Sequence, residues 1–387
     1  MISNSDLILQ VRTWLAENWD PSRDRREWRA AVLDQGYAVP RWPRDSFGLE
    51  LSDEQARLVE NEFRSVGAPG SGQDRTNMYA NTFQRYASAA LKEQLMRPLL
   101  EGRLKTCLLY SEPGAGSDLA GLTTRAVRDG EDYVVSGAKV WTSDAATAEY
   151  GMLVARTDFD VPKHCGISFF LFPMKQPGVV VRPLRQMTGE AHFNEVFLTD
   201  ARVPAANMFG EPGEGWRVLQ TALAYERRGL GERNQGAATR AGRPGETDLI
   251  ELARRHDRLD DPVVRQDLAR VLTLRSVNRW NNQRSQAELK QGDSSSLASL
   301  GKLLMSRILH ETGRVQTTIV GPEAMLEGPE NRDGDAANFA AMNAFFTSIG
   351  GGTDQIQRNI IGERILGLPR EPEVDKDLPF REVKRSG

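Results

Sequence analysis

The stretch Tyr110-Ser111-Glu112-Pro113-Gly114-Ala115-Gly116-Ser117-Asp118 stands where the chain changes its period, and the fold is read outward from it. On its N-terminal side, from Leu7 to about Gly102, apolar residues recur at helical spacing, as in Leu7, Val11, Trp14 and Leu15, then Leu91, Leu95, Leu99 and Leu100. From about Thr106 to Pro204, short β-branched or aromatic runs follow turn residues instead. These are Tyr133-Val134-Val135 after Asp129-Gly130, Ile167 to Phe172 after Gly166, and Val179 to Val181 after Pro177-Gly178. After Gly215 the helical period returns, with Trp216, Leu219 and Leu223, then Leu268, Val271 and Leu272, then Leu297, Leu300, Leu303, Leu304 and Ile308. The reading is α+β: an all-α region over 1–105, a compact antiparallel β region over 106–212 and a helical bundle over 213–387. Two stretches rich in Gly and polar residues, Arg228 to Asp248 and Gly321 to Asp335, are expected as loops.

The 387 residues carry 50 Lys and Arg against 53 Asp and Glu, a formal charge of -3. No segment forms a basic stripe, which argues against a nucleic-acid partner. Apolar residues at 39%, together with 35 Gly, match a soluble globular chain and exclude a disordered one. Nine of the basic residues are Lys and 41 are Arg. That bias reads as composition, with a few arginines left to meet an anionic ligand. Cys107 and Cys165 lie 58 positions apart without CxxC spacing, so neither a disulfide framework nor a metal site is expected. No apolar leader and no run of 18 apolar residues occurs, which points to a cytoplasmic protein without a membrane span. His164, His192, His256 and His310 stand in no G-x-S-x-G arrangement, which disfavours a Ser/His/Asp hydrolase. No G-x-G-x-x-G follows a strand, so a βαβ dinucleotide site is not supported.

Three segments offer chemistry. In Ser111 to Asp118, small residues let backbone N–H groups approach an anion and the Ser111 and Ser117 hydroxyls add donors, which suits a phosphate or a flavin edge. Read alone, it is also a Gly/Ser turn capped by Asp118. The second segment is Lys139-Val140-Trp141-Thr142-Ser143, followed by Gln186 to Glu190 and Phe193 to Leu198. Trp141 can stack on a planar ring with Ser143 bonding its heteroatoms, or it can be a core tryptophan of a strand. In the third, Ser348 to Asn359, a Gly run breaks into a helix capped by Thr353, with Ile356, Ile360 and Ile365 near one face. Its first N–H groups and the positive end of its dipole would point at Gly350 to Gly352, a place that can hold an oxyanion.

Taken together, Ser111 to Asp118, Trp141-Thr142-Ser143, Gln186 to Glu190 with Phe193 to Pro204, and Gly351-Gly352-Thr353 through Pro369 resemble the acyl-CoA dehydrogenase family. The likeness keeps order and spacing over nearly the whole chain. It implies an N-terminal helical domain, a central β domain and a C-terminal four-helix bundle, with FAD held between the β domain and the bundle. Leu108, Ser111, Gly116, Ser117, Trp141 and Ser143 would line the flavin and its pyrophosphate, Trp141 over one face of the ring. Thr353 and Gln355 would reach FAD from the bundle. The family reaction takes a proton from Cα and a hydride from Cβ of an acyl-CoA thioester, gives a trans-2-enoyl-CoA, and passes electrons to an electron-transfer flavoprotein. Ser117, Tyr225 and Arg227 are the positions expected to meet the acyl-CoA.

Such chemistry needs a carboxylate at the α-proton and donors at the thioester oxygen. In medium- and short-chain members the base is a Glu two residues before the Thr corresponding to Thr353, and here that position is Gly351. Isovaleryl- and long-chain-type relatives place it on the first bundle helix, in a Leu-x-x-Glu-Arg setting. This chain has Leu223-Ala224-Tyr225-Glu226-Arg227 there. The resemblance therefore makes Glu226 the base, in a pocket that would raise its pKa. By composition alone, Glu226 to Arg233 is a solvated, ion-paired helix end. The Gly351 N–H, with the ribityl 2′-hydroxyl of FAD, would be the oxyanion hole, and Gly leaves room for a wide or branched acyl chain. Two departures touch cofactor contacts across the family's subunit interface. Gly231 to Asp248 replaces a Glu-Arg-x-x-Phe-Gly stretch, and Gly321-Pro322-Glu323-Ala324-Met325 replaces Gly-Gly-x-Gly-Tyr. These variants resemble bacterial catabolic subfamilies, some of them steroid-degrading, whose heterotetramers keep only part of the flavin sites. A homo- or hetero-oligomer is expected. The competing readings are a FAD-deficient partner subunit, and a flavin oxidase or monooxygenase on the same fold.

Overall fold

The computed structural model describes residues 2–237, 248–290, 297–326 and 328–384. Contacts gather the chain into two compact units. One comprises Met1–Arg185, Ala191–Gly229 and Val374–Gly387, the other Gln186–Glu190 and Leu230–Glu373.

The first unit opens with six helices: α1 (Asn4–Asn18), α2 (Arg25–Asp34), α3 (Asp53–Ser65), α4 (Gln73–Thr76), α5 (Met78–Tyr86) and α6 (Ala89–Leu100). Side-chain oxygens of Ser3, Asp24 and Ser52 cap α1, α2 and α3, and Ser52 with Gln55 completes a reciprocal capping box. The apolar stripes meet in an aromatic cluster of Trp14, Trp28, Tyr37 and Phe63, whose ring centroids lie 5.3–6.1 Å apart. Each such contact adds about 0.5–1.5 kcal/mol beyond the burial itself.

Seven strands follow: β1 (Thr106–Leu109), β2 (Arg125–Asp129), β3 (Asp132–Ser143), β4 (Tyr150–Arg156), β5 (Ile167–Pro173), β6 (Val179–Leu184) and β7 (Phe193–Pro204). They form one sheet in the order β1-β4-β2-β3-β7-β6, with β5 also on β4. Alternate residues of β5 enter different cores: Phe169 and Leu171 join the helical cluster, Phe170 and Phe172 the opposite one. Among the described residues four of the six strand pairings are antiparallel, as expected, and two are parallel, which corrects the antiparallel reading at that edge of the sheet. β1 runs parallel to β4, and the Arg125↔Arg156 pair joins β2 to β4 in parallel as well. Strands running the same way need a long connection, and the segment 110–124 between β1 and β2 is that crossover. It contains the stretch from which the fold was read.

Beyond the sheet come α7 (Gly215–Ala237), α8 (Leu249–Arg255), α9 (Pro262–Lys290), α10 (Leu297–Val320), α11 (Arg332–Ile349) and α12 (Asp354–Arg364). In the second unit α8, α9, α11 and α12 all pack on α10. Gly313 lets α10 approach α11 closely, since a Cβ there would lie 2.8 Å from the Ala341 Cα. The expected loop from Arg228 is helical as far as Ala237, and 238–247 lie outside the described residues. The buried Val218, Leu219 and Ala222 have already nucleated α7, so propagation tolerates glycines costing about 1 kcal/mol each. The expected loop Gly321 to Asp335 is likewise partly helical. Gly321, at φ 67°, ends α10, a 3₁₀ turn Gly321–Met325 follows with Pro322 in its first turn, and α11 begins at Arg332 with Asp333 and Asp335 at its positive end. No described helix is long and apolar enough to cross a membrane.

Candidate functional site

The crossover is fixed from inside by a residue whose role the sequence reading overlooked. Glu112 pairs through its backbone with Ala115, at 3.0 and 3.1 Å, to close the turn. Its buried carboxylate accepts from Thr123 N at 2.7 Å, Thr123 Oγ1 at 2.9 Å, Thr124 N at 2.9 Å and Lys139 Nζ at 2.9 Å. Lys139 Nζ also donates to Tyr110 O at 3.1 Å, and Val140 N donates to Ser111 O at 2.9 Å. Burial alone would raise the Glu112 carboxyl. The charge of Lys139 and the bonds from Thr124, Lys139 and Thr123 overcome burial and hold it at about 2. Burial moves the Lys139 ammonium down, and Glu112 works against that. Both ends of the pair thus anchor the crossover to β3.

The outer surface of the crossover presents Gly114, Gly116 and Ser117, with Ser111 and Leu108 half-buried beside it. Neither Gly114 nor Gly116 is demanded by a positive φ, and an added Cβ at either meets nothing within 4 Å. The adjoining end of β3 is distorted: the register with β7 shifts between Lys139 and Thr142, and Trp141 sits there at φ 61°. A non-glycine residue in that region is strained by about 1–3 kcal/mol. Trp141 is 56% exposed, its ring edge on Phe193 at 5.8 Å, so the reading of it as a core tryptophan is set aside. Ser143 is exposed two residues on, and the Oγ1 of buried Thr142 has no hydrogen-bond partner among the described residues. An exposed indole on a strained bulge, beside a glycine turn open to approach, fits a flat ring carrying phosphates.

Tyr225 and Glu226 lie on the part of α7 that belongs to the same unit, and both are half-buried. Burial raises the phenols of Tyr79 and Tyr110, and the negative charge of Glu226 raises them further. The Tyr110 hydroxyl is buried and has no hydrogen-bond partner among the described residues. Tyr225 lines an open hollow with Arg85, Arg217, Gln220, Thr221 and Ala224. Arg227 lies on α7, and its side chain falls outside the described residues.

In the second unit Gly351 and Gly352 take φ values of 65° and 88°, and the Thr353 side chain caps α12 by accepting from Ile356 N at 3.2 Å. Gln355 is exposed. The residue that α12 buries is Gln357, whereas Ile356 and Ile360 are half-buried and Ile365 is exposed. The expected isoleucine face is thus displaced by an amide whose Nε2 donates to Gly351 O at 3.3 Å.

Two family models match the chain: "acyl-CoA dehydrogenase, middle domain" over residues 107–201 and "acyl-CoA dehydrogenase, C-terminal domain" over 213–366. Acyl-CoA dehydrogenase IpdE1 of Mycobacterium tuberculosis is 33% identical over 387 residues, covering 94% of this chain and 97% of that one. The chain belongs to the acyl-CoA dehydrogenase family. A solved structure described as "Tcur3481-Tcur3483 steroid ACAD" matches with a TM-score of 0.73 and 27% identity, over 95% of this chain and 98% of that one. The ChsE4-ChsE5 complex from Mycobacterium tuberculosis matches with a TM-score of 0.67 and 30% identity, over 96% and 100%.

An acyl-CoA dehydrogenase is an oxidoreductase acting on CH–CH bonds, and membership implies a flavin cofactor. Of the residues carried over from the family, Leu108, Ser111, Gly116, Ser117, Trp141, Ser143, Tyr225 and Glu226 fall in the first unit and Gly351, Thr353 and Gln355 in the second. What the sequence reading passed over in this acyl-CoA dehydrogenase is the Glu112–Lys139 anchor and the Arg85–Arg217 pair. Lys139 had a signal: alternation along β3 puts it on the inward face with Tyr133 and Val135, and a buried lysine calls for a carboxylate. The two arginines come from α5 and α7 and had none.

Proposed function

We propose that this acyl-CoA dehydrogenase oxidises a wide or branched acyl-CoA thioester between Cα and Cβ, with FAD as cofactor and Glu226 as base. FAD, when bound, supplies the hydride acceptor and hands electrons to an electron-transfer flavoprotein. One observation supports the assignment: Glu226 is a half-buried carboxylate on the part of α7 that belongs to the same unit as the crossover and the exposed Trp141.

In this reading the Glu226 carboxylate receives the α-proton on a side-chain oxygen and must release it to solvent before the next turnover. The Gly351 N–H donates to the thioester oxygen as negative charge develops there. Its missing side chain is what makes room for a bulky acyl group. Trp141 would lie against one face of the cofactor ring, Leu108, Ser111 and Ser143 would meet its edge, and the turn at Gly116 and Ser117 would take its phosphates. Thr353 and Gln355 would contribute further contacts to it. Ser117, Tyr225 and Arg227 orient the acyl-CoA.

Glu226→Gln keeps size and loses basicity, so turnover with a dye acceptor should fall by about 10²–10⁴-fold while the bound flavin keeps its absorbance. Full turnover in that variant would remove Glu226 as base. A panel of CoA thioesters, from short branched to polycyclic, then sorts the acyl group.

The neighbours named as two-chain complexes favour a second reading, in which this chain works only beside a paralogous subunit. Purification of the chain alone, followed by an absorbance scan, separates the two. Stoichiometric flavin and turnover in the lone chain support the first reading; neither until a paralogue is co-expressed supports the second.

A further inference from the structure

One face of α10 carries Lys302, Ser306 and His310, each four residues from the next and so stacked on one side of the helix. They grip both ends of the Gly350–Gly352 turn. Ser306 Oγ donates to Asp354 Oδ2 at 2.8 Å and Lys302 Nζ to Asp354 Oδ1 at 3.2 Å, holding the first residue of α12. Ser348, near the end of α11, has its Oγ 3.0 Å from Ser306 Oγ and 2.6 Å from His310 Nε2. Ser306 is fully buried.

A carboxylate only accepts, so Ser306 gives its proton to Asp354. Ser348 has Ser306 Oγ, Ala344 O at 3.4 Å and His310 Nε2 within reach of its hydroxyl, and whether that His310 nitrogen donates or accepts follows from its tautomer. Beneath the turn, Gln357 Nε2 holds Gly351 O, and a Cβ on Gly352 would lie 2.8 Å from that nitrogen. Gly350 N is bonded to Phe346 O at 2.7 Å. Among the described residues no bond takes the Gly351 N–H. A turn tied at both ends and through its carbonyl, with one N–H left over, is a donor already in place.

We propose that Lys302, Ser306, His310 and Ser348 are positioning residues that clamp this turn on α10, so that the Gly351 N–H meets a thioester oxygen without first being ordered. The inference rests on the reading that Gly351 donates to the thioester. Its physical content is that order is built into the fold and need not come from substrate binding energy.

Ser306→Ala and Ser348→Ala each break the chain of bonds with little loss of volume. In the full chain with bound flavin, amide hydrogen exchange over 348–357 should speed up by about tenfold. With acyl-CoA, kcat should fall by about 10–100-fold while KM stays within about twofold, because the lost order is felt at the reacting oxygen. Ser348→Thr keeps the hydroxyl and should restore both. Should the alanine variants misfold, Lys302→Met, at the outer end of the chain, should move exchange in the same direction. Unchanged exchange in these variants overturns the clamp. Faster exchange with unchanged kcat keeps the clamp and overturns the role given to the Gly351 N–H.

Discussion

The Glu112 carboxylate and the Lys139 ammonium lie 2.9 Å apart with side chains 5% and 0% exposed, a buried ion pair that ties the crossover to β3. Removing one partner of such a pair costs about 3–5 kcal/mol, because the other charge stays buried without compensation. Glu112→Gln and Lys139→Met should each lower stability by that order and release flavin. The double variant should recover part of the stability, since no orphan charge remains. A double-mutant cycle by chemical denaturation measures this, and additive losses would contradict it.

The same pair sets an acid limit. The folded Glu112 carboxyl is held at about 2, below its ordinary 4.5. A group whose folded pKa is depressed stabilises the fold above its unfolded value and loses that contribution as pH falls toward the folded one. Stability should therefore fall between about 4.5 and 2, on top of the general acid response. Glu112→Gln has nothing to titrate there, and its stability curve over the same window should be flatter.

Those parts of the fold that depend on near neighbours in the chain were legible. The helical stripes of the N-terminal region, the strand runs and the Thr353 cap are local patterns and formed as expected, while Leu272 on α9 and Ile365 after α12 are exposed. The parts that escaped depend on distant pairings. Nothing near Arg156 announces that Phe380 will cover it. No local signal tells that β1 and β2 both flank β4 in parallel, or that the buried face of α12 goes to Gln357. The glycines after Arg228 suggested a loop because propensity is weighed residue by residue, while a helix already nucleated continues through them. At the candidate site the motif was readable and its support was not: Ser111, Gly116 and Ser117 stood out by composition, and Glu112 among them is the one whose burial matters most.

Trp141 places stability and binding in opposition. Its φ of 61° is strained for any side chain, while its indole is more than half exposed and touches Phe193 only by its edge. Trp141→Gly relieves strain of about 1–3 kcal/mol and loses an aromatic contact of about 0.5–1.5 kcal/mol. Unfolding of the flavin-free chain should thus change little or become harder. Flavin affinity, read by fluorescence titration, should weaken. A large loss of stability in the flavin-free variant would mean that the indole is a packing residue after all.

The C-terminal segment returns to the first unit as a strap. Phe380 is 1% exposed, with its ring centroid 3.4 Å from the Arg156 guanidinium carbon. Arg156 in turn donates to Ala120 O at 2.6 Å, Leu122 O at 3.1 Å and Lys163 O at 2.9 Å, fixing the exit of the crossover. Phe380→Ala should cost about 3–5 kcal/mol. Truncation after Glu373 should do at least as much, and should lower the flavin retained on gel filtration. Retention of full flavin by the truncated chain would separate the strap from the crossover.

Arg85 and Arg217 each lie 5.6 Å from the Tyr86 ring, one from α5 and one from α7, and Tyr86 is itself tied to Thr221 at 2.9 Å. Both guanidinium groups border the hollow that Tyr225 lines, so an otherwise near-neutral chain gathers positive charge where a CoA phosphate could rest. Arg217 is shared with Glu214 at 2.8 Å, which leaves Arg85 as the stronger test. An exposed charge contact is worth about 1 kcal/mol, roughly fivefold in a binding constant. Arg85→Ala should therefore raise KM for acyl-CoA by about fivefold with kcat unchanged, the opposite split from Glu226→Gln. Because such contacts are screened, the variant's KM should also respond less to added salt than that of the parent chain. Equal salt responses would place the CoA phosphates elsewhere.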